Sequence, residues 1–534
     1  MLYPSGHTDS FARDQLPPEE TWPVLDLGLA GLDYPQRLNC ATVLIDDALK
    51  EGFGDKPAII QGAEILTYAD LAARTNRIAR VLTEDFAIVP GSRILLRGEN
   101  APALFVCWLA TLKIGAIAVT TMSMLRAAEL KPVIGKARTS VALCADGLAE
   151  EIRAACEPDG ALQRIATFGE LDRRAQGKPP NFEAAATSQD DVCLIAFTSG
   201  TTGEPKATMH FHRDVLAMCD TFCRHILNPG PGAIFTGTPP IAFTFGLGAL
   251  LVFPLRFRAT IALPERSTPD ALWQAIERHR ATHVFTSPTG YRAMLARAPA
   301  GALAGIEMCV SAGEHLPRRV SDEWFERTGI RLIDGIGATE MIHIFLSVRP
   351  EATRPGSVGM PVPGYQACLL DESNQPIAGA GTGRLGVRGP TGCRYLADSR
   401  QHNYVVDGWN VTGDIFRRDE DGYYWYVARA DSMIVSSGYN IAGPEIETAL
   451  LQHPDVAECA VIGWPDADRG QIVKAIVVAK PGTGHSEALA QALQDHVKAV
   501  LAPYKYPRLV EFRAALPKTA TGKIQHSALR AEVP

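Results

Sequence analysis

The sequence has few of the features that would place it in a specialised class of protein. Aromatic residues make up only 7% of the 534 residues, charged residues make up 21%, and the formal net charge is −7. The 46% of hydrophobic residues is enough for a large core, which excludes a disordered chain. Because the balance of charge is acidic, we expect neither nucleic acid nor an anionic membrane as the main partner.

Cysteine is present, but not in a pattern that binds metal or forms a disulfide framework. The 11 cysteines are scattered, no C-x-x-C occurs, and the tightest pair is Cys219 and Cys223. We therefore expect buried thiols in a reducing compartment. The N-terminal segment has no basic stretch followed by an apolar one, so we expect no secretory signal and a cytoplasmic protein.

One long apolar stretch, residues 103–125, needs an explanation. Lys113 and Gly115 divide it into a helix-length piece and a strand-length piece. A buried helix that leads into a buried strand fits this pattern better than a membrane span does. The sequence therefore predicts no membrane anchor here.

The pattern along the chain predicts an α/β protein with two domains. Short apolar strands alternate with amphipathic helices from residue 190 to 335, which indicates a layered and largely parallel sheet. A Gly- and Pro-rich region after residue 350 predicts a small β-barrel-like piece, and the last hundred residues predict a small, mobile α+β domain. We place the boundary near Ala430 and Asp431, which gives an N-terminal domain of layered α/β subdomains at 1–430 and a C-terminal lid domain at 431–534.

The stretch TSGTTGEPKAT, from Thr198 to Thr208, concentrates hydroxyls, glycines and one lysine directly after an apolar run. Glycines let the backbone N–H groups approach an anion, hydroxyls donate further hydrogen bonds, and a lysine adds positive charge. This composition favours polyphosphate binding over a simple polar turn. It is not a Walker A loop, since Ala207 stands where that motif needs Ser or Thr after its lysine.

The loop resembles the signature of the adenylate-forming superfamily, which comprises acyl- and aryl-CoA synthetases, luciferases and nonribosomal adenylation domains. Its other motifs follow in order: SAGE at 311–314, DGIGATE at 334–340, GWNVTGD at 408–414, RADSMIVSSGYNIAGPEIE at 429–447 and LPKTATGKI at 516–524. The segments GIGATEMIHIF and AFTFGLG resemble the benzoate and 2-aminobenzoate CoA ligase branch. MHFHRDVLA, SSGYNIAGPEIE and the departure at Val435, where benzoate-type members often carry Lys, favour the 2-aminobenzoate side. Ala207 also departs from the Gly of many relatives.

The resemblance implies a two-step reaction that uses ATP, Mg²⁺ and coenzyme A. An aryl carboxylate attacks the α-phosphorus of ATP and releases pyrophosphate, and the thiol of coenzyme A then displaces AMP from the acyl-adenylate. Three catalytic residues are implied. Lys523 neutralises charge on the carboxylate and the α-phosphate, Glu340 binds Mg²⁺ through a hard carboxylate oxygen, and Thr339 donates to the α-phosphate.

The same resemblance implies a set of nucleotide contacts. Asp414 is expected to accept the ribose hydroxyls with support from Arg429, although a surface pair between Arg429 and Asp431 is the alternative. Backbone in the SAGE and DGIGATE motifs is expected to line an adenine slot, unless these are ordinary turns at strand ends. The expected ATP-binding residues are Thr198, Ser199, Gly200, Thr201, Thr202, Gly203, Lys206, Gly313, Glu314, Asp334, Gly335, Thr339, Asp414, Arg429 and Lys523.

The acyl site is expected to be a flat aromatic slot that suits an aryl ring better than an alkyl chain. His343 either hydrogen-bonds an ortho substituent, orients the carboxylate or is an ordinary core histidine. His210 is expected near the carboxylate entrance, unless it and His212 cap the following helix. The expected acyl-substrate residues are Phe243, Thr244, Phe245, Gly337, His343, Ile344 and His210.

Coenzyme A binding is expected after a movement of the C-terminal domain. Asp431 matches the hinge position of relatives, and Gly438 then lines a tunnel for the pantetheine arm together with Ser437 and Tyr439. An aryl-CoA ligase that prefers 2-aminobenzoate is the favoured function. A stand-alone enzyme that loads an aryl acid on a carrier protein and a non-catalytic nucleotide-binding relative are the alternatives, and homo-oligomerisation is left open.

Overall fold

The structure is a computed structural model that describes residues 2–157, 160–198, 205–296, 305–430, 433–436, 439–466, 470–501, 503–519 and 522–533. The chain forms two compact units. The first unit comprises Met1–Ala367 and Val387–Asn410, and the second comprises Cys368–Gly386 and Val411–Pro534. The domain boundary near Ala430 stays a prediction.

The strands of the described residues are mostly short and lie throughout the chain. In chain order they are β1 Pro57–Gln61, β2 Glu64–Thr67, β3 Arg93–Arg97, β4 Ile117–Thr121, β5 Val141–Cys144, β6 Arg164–Thr167, β7 Val192–Thr198, β8 Lys206–Phe211, β9 Ile234–Gly237, β10 Thr260–Leu263, β11 His283–Thr286, β12 Met308–Ala312, β13 Leu332–Gly337, β14 Ile344–Ser347, β15 Met360–Pro361, β16 Gln366–Leu370, β17 Gly381–Arg388, β18 Val405–Val406, β19 Trp409–Arg418, β20 Tyr424–Arg429, β21 Met433–Ser436, β22 Tyr439–Ala442, β23 Val456–Asp466, β24 Gly470–Ala479 and β25 Leu509–Phe512.

The α-helices alternate with these strands through most of the first unit. They are α1 Phe11–Asp14, α2 Asp47–Lys50, α3 Tyr68–Arg80, α4 Pro102–Lys113, α5 Ala127–Ala137, α6 Ala149–Ala155, α7 Phe168–Ala175, α8 His212–Met218, α9 Thr244–Leu247, α10 Phe253–Arg256, α11 Pro269–His279, α12 Pro288–Leu295, α13 Arg318–Thr328, α14 Gln401–Tyr404, α15 Gly443–Leu450, α16 Glu487–Val500 and α17 His526–Ala531. Two π-helical segments matter for the site: Cys219–Leu227 extends α8, and Gly248–Val252 joins α9 to α10.

A six-stranded sheet in the first unit leads into the predicted phosphate loop. Its order is β6-β5-β3-β4-β7-β8, with parallel pairing except between β7 and β8. β3 and β4 are buried along their whole length, which is typical of a parallel sheet covered on both faces. The predicted strand before the loop and the predicted helix from His212 are confirmed, whereas β8 is an additional strand that the hydroxyl-rich sequence did not indicate.

A nine-stranded sheet completes the first unit, in the order β15-β14-β13-β12-β11-β9-β10-β1-β2. Its central strands are parallel, and its edge strands β2, β14 and β15 are antiparallel to their neighbours. Helices α11, α12 and α13 connect strands of this sheet. The side chain of Thr268 caps α11 by accepting from the N–H of Ala271, and Pro269 occupies its first position, as the sequence predicts.

The long apolar stretch folds as a buried helix and a buried strand, α4 and β4. Gly115, between them, has a φ of 74°, which lets the chain turn from one element into the other. Within the described part of the chain, no helix is long and apolar enough to cross a membrane.

The region rich in Gly and Pro is β-structured, as expected. Strands β16 to β20 form a sheet in the order β16-β17-β19-β18, and β20 pairs with β19. In the second unit, β22-β21-β24-β23 form a further sheet, with β25 parallel to β24. The side chain of Ser486 caps α16, and this helix packs through Leu489, Leu493 and Val497 into the core of the unit. The predicted strands and helix of this small α+β region are confirmed.

Candidate active site

β7 and β8 form antiparallel arms on either side of the predicted phosphate loop. Their register pairs Thr198 with Lys206, so the last residue of one arm lies opposite the first residue of the other. Lys206 Nζ lies 5.4 Å from the ring centroid of Tyr395. The other predicted residues of the loop lie outside the described part of the chain: Ser199, Gly200, Thr201, Thr202 and Gly203.

The residues predicted for the adenine slot lie at the carboxyl ends of two neighbouring strands. β12 ends directly before Gly313 and Glu314, and β13 carries Asp334 and Gly335. The two strands are parallel, with Ala312 opposite Gly335, so both motifs meet at one edge of the sheet. This edge is where open α/β sheets bind ligands.

Two glycines of β13 allow β14 to approach closely. A Cβ on Gly335 would lie 2.8 Å from Cδ1 of Ile344, and a Cβ on Gly337 would lie 2.7 Å from the carbonyl oxygen of His343. Burial raises the pKa of the Asp334 carboxyl, and the N–H of Gly335, which donates to it at 3.0 Å, acts in the opposite direction. Gly337 and Ile344, both predicted for the acyl site, are thus adjacent on paired strands.

A short turn, Thr339–Met341, carries the predicted catalytic residues and is named here the ATE turn. Each of its residues takes part in a hydrogen bond from outside the turn. The three bonds are His210 Nε2 to the Thr339 carbonyl at 2.8 Å, the Tyr395 hydroxyl to Glu340 Oε1 at 2.5 Å, and Thr391 Oγ1 to the Met341 carbonyl at 2.8 Å.

The residue after the ATE turn has a strained backbone. Ile342 has a φ of 65° and a ψ of −35°, a conformation that costs about 1–3 kcal/mol for a β-branched residue. The carbonyl group just before it is fixed by Thr391. Such strain is common at functional sites, where the surroundings hold the chain in place.

A buried ion pair supports the same turn from the β8 side. Arg394 Nη1 donates to Asp214 Oδ2 at 2.8 Å, and both side chains are fully buried. The Arg394 guanidinium lies 4.1 Å from the ring centroid of Phe211 and 5.0 Å from that of Trp22. Burial alone would raise the pKa of Asp214, but Arg394 and His210 hold it well below its usual range.

His210 links this ion pair to the ATE turn, because its Nδ1 lies 3.8 Å from Asp214 Oδ2. Since the Thr339 carbonyl accepts, Nε2 of His210 carries the proton. His212 opens α8 instead and receives the N–H of Cys40 on Nδ1 at 3.2 Å. Neither histidine caps α8: Asp214 accepts the N–H of Phe211, the residue before the helix, and the N–H of His212 donates to the Asp191 carbonyl.

His343 lies in an enclosure that we name the aromatic box, formed by Phe222, Phe245, Phe253 and Gly248. Its ring centroid lies 5.4 Å from that of Phe222, 5.9 Å from that of Phe245 and 4.6 Å from that of Phe253. His343 is 2% exposed, and neither ring nitrogen has a hydrogen-bond partner among the described residues. Burial lowers its pKa to about 3, and the backbone of Phe245 opposes the shift only in part.

The structure brings the predicted acyl-site residues together unequally. Phe245 packs into the aromatic box and also lies 6.0 Å from the ring of Phe285. Thr244 is buried, whereas Phe243 is 37% exposed and precedes the first turn of α9. Phe245 and His343 are therefore in contact range, and Phe243 lies at the surface of the first unit.

Sequence reasoning missed several residues of the site. Phe222, in a π-helical segment, and Phe253, at the start of α10, lie outside the motifs and 5.9 Å apart between ring centroids. Gly248 ends the AFTFGLG segment but was not singled out. Thr391 and the pair Arg394–Tyr395 were missed because they lie outside the motifs used for prediction. Asp214 lies within MHFHRDVLA, which was used only for the family resemblance, so no role was assigned to it.

Cys40, Cys193 and His212 form a buried group that sequence spacing did not indicate. Their ligating atoms all lie within 4.8 Å of one another, and Cys40 Sγ lies 3.1 Å from His212 Nδ1. The same nitrogen already accepts the N–H of Cys40, so we interpret the group as a structural contact that fixes the start of α8. All 11 cysteines are free thiols, and all except the partly buried Cys156 are buried, as expected.

In the second unit, the predicted ribose residues lie opposite each other on paired strands. Asp414 on β19 faces Arg429 on β20, and Arg429 Nη1 donates to Asp414 Oδ1 at 3.1 Å. Asp414 is buried, while the side chain of Arg429 is 49% exposed. Arg429 thus pairs with Asp414; Asp431, its alternative partner and the predicted hinge, lies outside the described residues.

Lys523 lies in a tight turn of the second unit. Its carbonyl oxygen accepts from the N–H of Thr519 at 2.7 Å, and Thr519 Oγ1 accepts from its N–H at 3.1 Å. Gly522 precedes it with a φ of 85°, and the Lys523 side chain is exposed. Of the predicted tunnel residues, Ser437 and Gly438 lie outside the described residues, and Tyr439 begins β22.

The donor set at the ATE turn fits Mg²⁺. Glu340 offers a hard carboxylate oxygen at a buried position, with 8% of its surface exposed. One of its oxygens accepts the Tyr395 hydroxyl, and a hydrogen bond of this kind orients a metal-ligating carboxylate.

Two family models match the chain, the AMP-binding enzyme family at residues 47–395 and the AMP-binding enzyme C-terminal domain at 445–523. A benzoate–CoA ligase of Thauera aromatica is 36% identical, and the alignment covers 93% of this chain and 97% of that protein. A 3-hydroxybenzoate–CoA ligase of Aromatoleum sp. is 34% identical, with 92% of this chain and 96% of that protein covered. The solved anthranilate CoA ligase AuaEII, in complex with anthranoyl-AMP, is 32% identical with a TM-score of 0.87 over 93% of this chain and 98% of that one.

The chain therefore belongs to the AMP-binding enzyme family, whose fold has a large N-terminal α/β domain and a small C-terminal domain. The resemblance to adenylate-forming aryl-CoA ligases is confirmed, and with it an AMP-forming acid–CoA ligase that uses ATP, Mg²⁺ and coenzyme A.

Proposed function

We propose that this chain activates a benzoate-like acid that carries a hydrogen-bonding group beside the carboxylate, with 2-aminobenzoate as the preferred substrate. The observation that carries the proposal is the aromatic box, in which neither nitrogen of the neutral, buried His343 has a hydrogen-bond partner among the residues that the structure describes. A buried polar group without a partner is costly unless a ligand satisfies it. An ortho amino group would supply that partner, and the flat ring would pack on Phe245.

Three relatives support this substrate class. The solved AuaEII holds anthranoyl-AMP, the adenylate of 2-aminobenzoate, whereas the Thauera aromatica and Aromatoleum proteins are named for benzoate and 3-hydroxybenzoate. All three take a ring with a carboxylate. The names of the relatives do not fix the ring substituent, so the proposed preference for an ortho substituent in this chain depends on His343.

In the first half-reaction, a carboxylate oxygen of the aryl acid attacks the α-phosphorus of ATP, a new P–O bond forms, and pyrophosphate leaves. The phosphate loop with Thr198 and Lys206 holds the polyphosphate, and Thr339 donates to the α-phosphate. Glu340 holds Mg²⁺, which when bound screens the phosphate charges. Asp414 with Arg429 binds the ribose, and the edge formed by Gly313, Glu314, Asp334 and Gly335 receives the adenine.

In the second half-reaction, the thiolate sulfur of coenzyme A attacks the acyl carbonyl carbon, and AMP leaves with the bridging oxygen. Gly438, with Ser437 and Tyr439, is proposed to line the path of the pantetheine arm. Residues 431–534 are proposed to act as a lid that turns about Asp431 between the steps, and the two separate family matches on either side of residues 396–444 support this division.

The substrate proposal is tested by pyrophosphate release with 2-aminobenzoate, benzoate, salicylate, acetate and decanoate. We expect 2-aminobenzoate to give the highest kcat/KM, because acetate leaves the slot unfilled and decanoate does not match a flat wall. Leading activity with acetate or decanoate would contradict the aryl slot. Equal activity with benzoate and 2-aminobenzoate would contradict the ortho contact alone.

The role of Lys523 is tested by measuring the two half-reactions separately. In Lys523→Ala, adenylate formation should fall by about 100-fold or more, while thioester formation from added acyl-adenylate stays close to normal. Lys518→Ala is the matched control, since Lys518 lies in the same turn but pairs with Glu458 at 2.8 Å. Equal losses in both half-reactions would contradict a role limited to the first step.

A further inference from the structure

The carboxylate of Glu340 is held by one strong contact. The hydroxyl of Tyr395 donates to Oε1 of Glu340 at 2.5 Å, and Tyr395 is fully buried. A hydrogen bond to an ionised carboxylate at such a distance is among the stronger kinds in proteins. It fixes the rotation of the carboxylate and directs its second oxygen, Oε2, away from the tyrosine.

Tyr395 is itself rigidly placed, because its chain segment pairs with β8. The N–H of Met209 donates to the Arg394 carbonyl at 2.8 Å, and the N–H of Leu396 donates to the Ala207 carbonyl at 2.8 Å. The N–H of Tyr395 donates to Gln401 Oε1 at 2.9 Å. The backbone on both sides of the tyrosine is therefore fixed before any ligand binds.

The same segment reaches the ATE turn a second time. Thr391 Oγ1 donates its one proton to the Met341 carbonyl, next to Glu340, and therefore accepts from the Tyr365 hydroxyl at 2.9 Å. Residues 391–395 thus contact both the side chain of Glu340 and the backbone that follows it. Two contacts from one rigid segment define the position of a carboxylate better than either contact alone.

We propose that Tyr395 is a positioning residue that orients Glu340, so that Oε2 of Glu340 is presented to the magnesium ion of Mg²⁺·ATP, with Thr391 supporting the same turn. This inference rests on the proposed function of Glu340 as the magnesium ligand. Partners that orient a ligating carboxylate typically contribute 10–100-fold to metal affinity. A purely structural tyrosine would instead affect folding and leave nucleotide binding unchanged.

The test compares nucleotide binding with and without magnesium in the full-length protein. Calorimetry with α,β-methylene ATP, in EDTA and in a series of Mg²⁺ concentrations, measures how much magnesium tightens binding. In Tyr395→Phe we expect the magnesium-dependent gain to fall by about 10-fold or more, while affinity in EDTA stays within about 2-fold. In steady-state assays the KM for ATP should rise, and excess Mg²⁺ should restore much of the rate.

Tyr68→Phe is the matched control. Its fully buried hydroxyl donates to the Ala259 carbonyl at 2.8 Å, so the change removes a comparable bond elsewhere in the same unit. The control should bind Mg²⁺·α,β-methylene ATP as wild type does. A loss in the control equal to that in Tyr395→Phe would show a general effect on folding and would overturn the proposal.

The remaining outcomes distinguish the positioning role of Tyr395 from the role of Glu340 as the magnesium ligand. Wild-type magnesium dependence in Tyr395→Phe overturns the positioning role and leaves Glu340 as the proposed ligand. Absence of any magnesium-dependent gain in the wild type overturns both proposals. If Tyr395→Phe does not fold, Thr391→Val decides: a shift of the magnesium titration by a few-fold supports the role of the segment, and no shift overturns it.

Discussion

Two buried histidines, one on either side of the ATE turn, have opposite surroundings. His210 is fully buried, bonds the Thr339 carbonyl through Nε2 and lies close to the ion pair of Asp214 and Arg394. His343 is equally buried, but aromatic rings surround it and neither nitrogen has a partner among the described residues. In the first environment Nε2 is hydrogen-bonded and Nδ1 faces a buried carboxylate, whereas the second leaves both nitrogens without a polar partner among the described residues.

This difference distinguishes a residue that holds the ATE turn in place, His210, from a residue that recognises the substrate, His343. The bonds from His210 to the Thr339 carbonyl and from Tyr395 to Glu340 lie in a low-dielectric interior, where hydrogen bonds are strong, and they hold both residues in place. A buried imidazole without hydrogen-bond partners lowers the free energy of unfolding by about 1–3 kcal/mol. Such a destabilising residue is kept when it serves binding. The changes below test this distinction, from the largest expected effect to the smallest.

Breaking the ion pair should have the largest effect on stability. Asp214→Asn removes the carboxylate that pairs directly with the buried guanidinium of Arg394, and we expect the free energy of unfolding in urea to fall by about 3–5 kcal/mol. Glu323→Gln is the control, because Glu323 pairs with Arg319 on the surface, with side-chain exposures of 43% and 54%. That change should cost less than about 0.5 kcal/mol. A loss below about 1 kcal/mol in Asp214→Asn would contradict a supporting network.

Filling the aromatic box from the backbone should disturb recognition. A Cβ on Gly248 would lie 2.6 Å from Cδ2 of His343 and 2.8 Å from Cζ of Phe253. We expect Gly248→Ala to lower stability by about 1–3 kcal/mol and to lower kcat/KM for the aryl acid. Gly135→Ala, in α5 with open space at its Cβ, should be neutral or stabilising. An unchanged kcat/KM for the aryl acid in Gly248→Ala would contradict a role of the aromatic box in substrate recognition.

Replacing each histidine by phenylalanine contrasts the two regions directly. His210→Phe leaves the Thr339 carbonyl without its donor and should lower stability by about 1–3 kcal/mol. His343→Phe removes two unpartnered nitrogens and should leave stability unchanged or raise it. The measurement is urea unfolding of both variants under one condition. Equal losses in the two variants would remove the distinction between the regions.

The pH dependence of stability should show a smaller effect of His343. Burial lowers its folded pKa to about 3, so below about pH 6.5 the unfolded chain takes up a proton that the folded chain does not. The contribution of neutral His343 to the free energy of unfolding is therefore fully present above about pH 6.5 and is lost as the pH falls toward 3. Between pH 7 and 5.5 the loss should be about 1–2 kcal/mol, and His343→Phe should show a shallower curve. Parallel curves would contradict a neutral, buried His343.

Much of the fold and part of the site followed from the sequence. The strand before the loop, the cap at Thr268 and the α+β end were predictable, because strand patterns and capping residues are local signals. β8 was not, since its residues Lys206–Phe211 become a strand only by pairing with β7 and with the segment around Tyr395.

The motifs located the ATE turn but not what holds it. Glu340 and Thr339 stand in a recognisable sequence, whereas Tyr395, Thr391 and Arg394 act through contacts between residues 50 to 180 positions apart in the chain. The aromatic box was predicted in part, through Phe245 and His343. Phe222 and Gly248 lie in π-helical segments and Phe253 begins α10, so their approach to His343 depends on packing rather than on a repeating pattern.

The account depends most on His343 as the group that recognises an ortho substituent. The direct measurement is the ratio of kcat/KM for 2-aminobenzoate to kcat/KM for benzoate, by pyrophosphate release, in the wild type and in His343→Phe. We expect the wild-type ratio to be about 10 or more and to approach 1 in the variant, while activity with benzoate is largely kept. A ratio that does not change between wild type and His343→Phe would contradict the account.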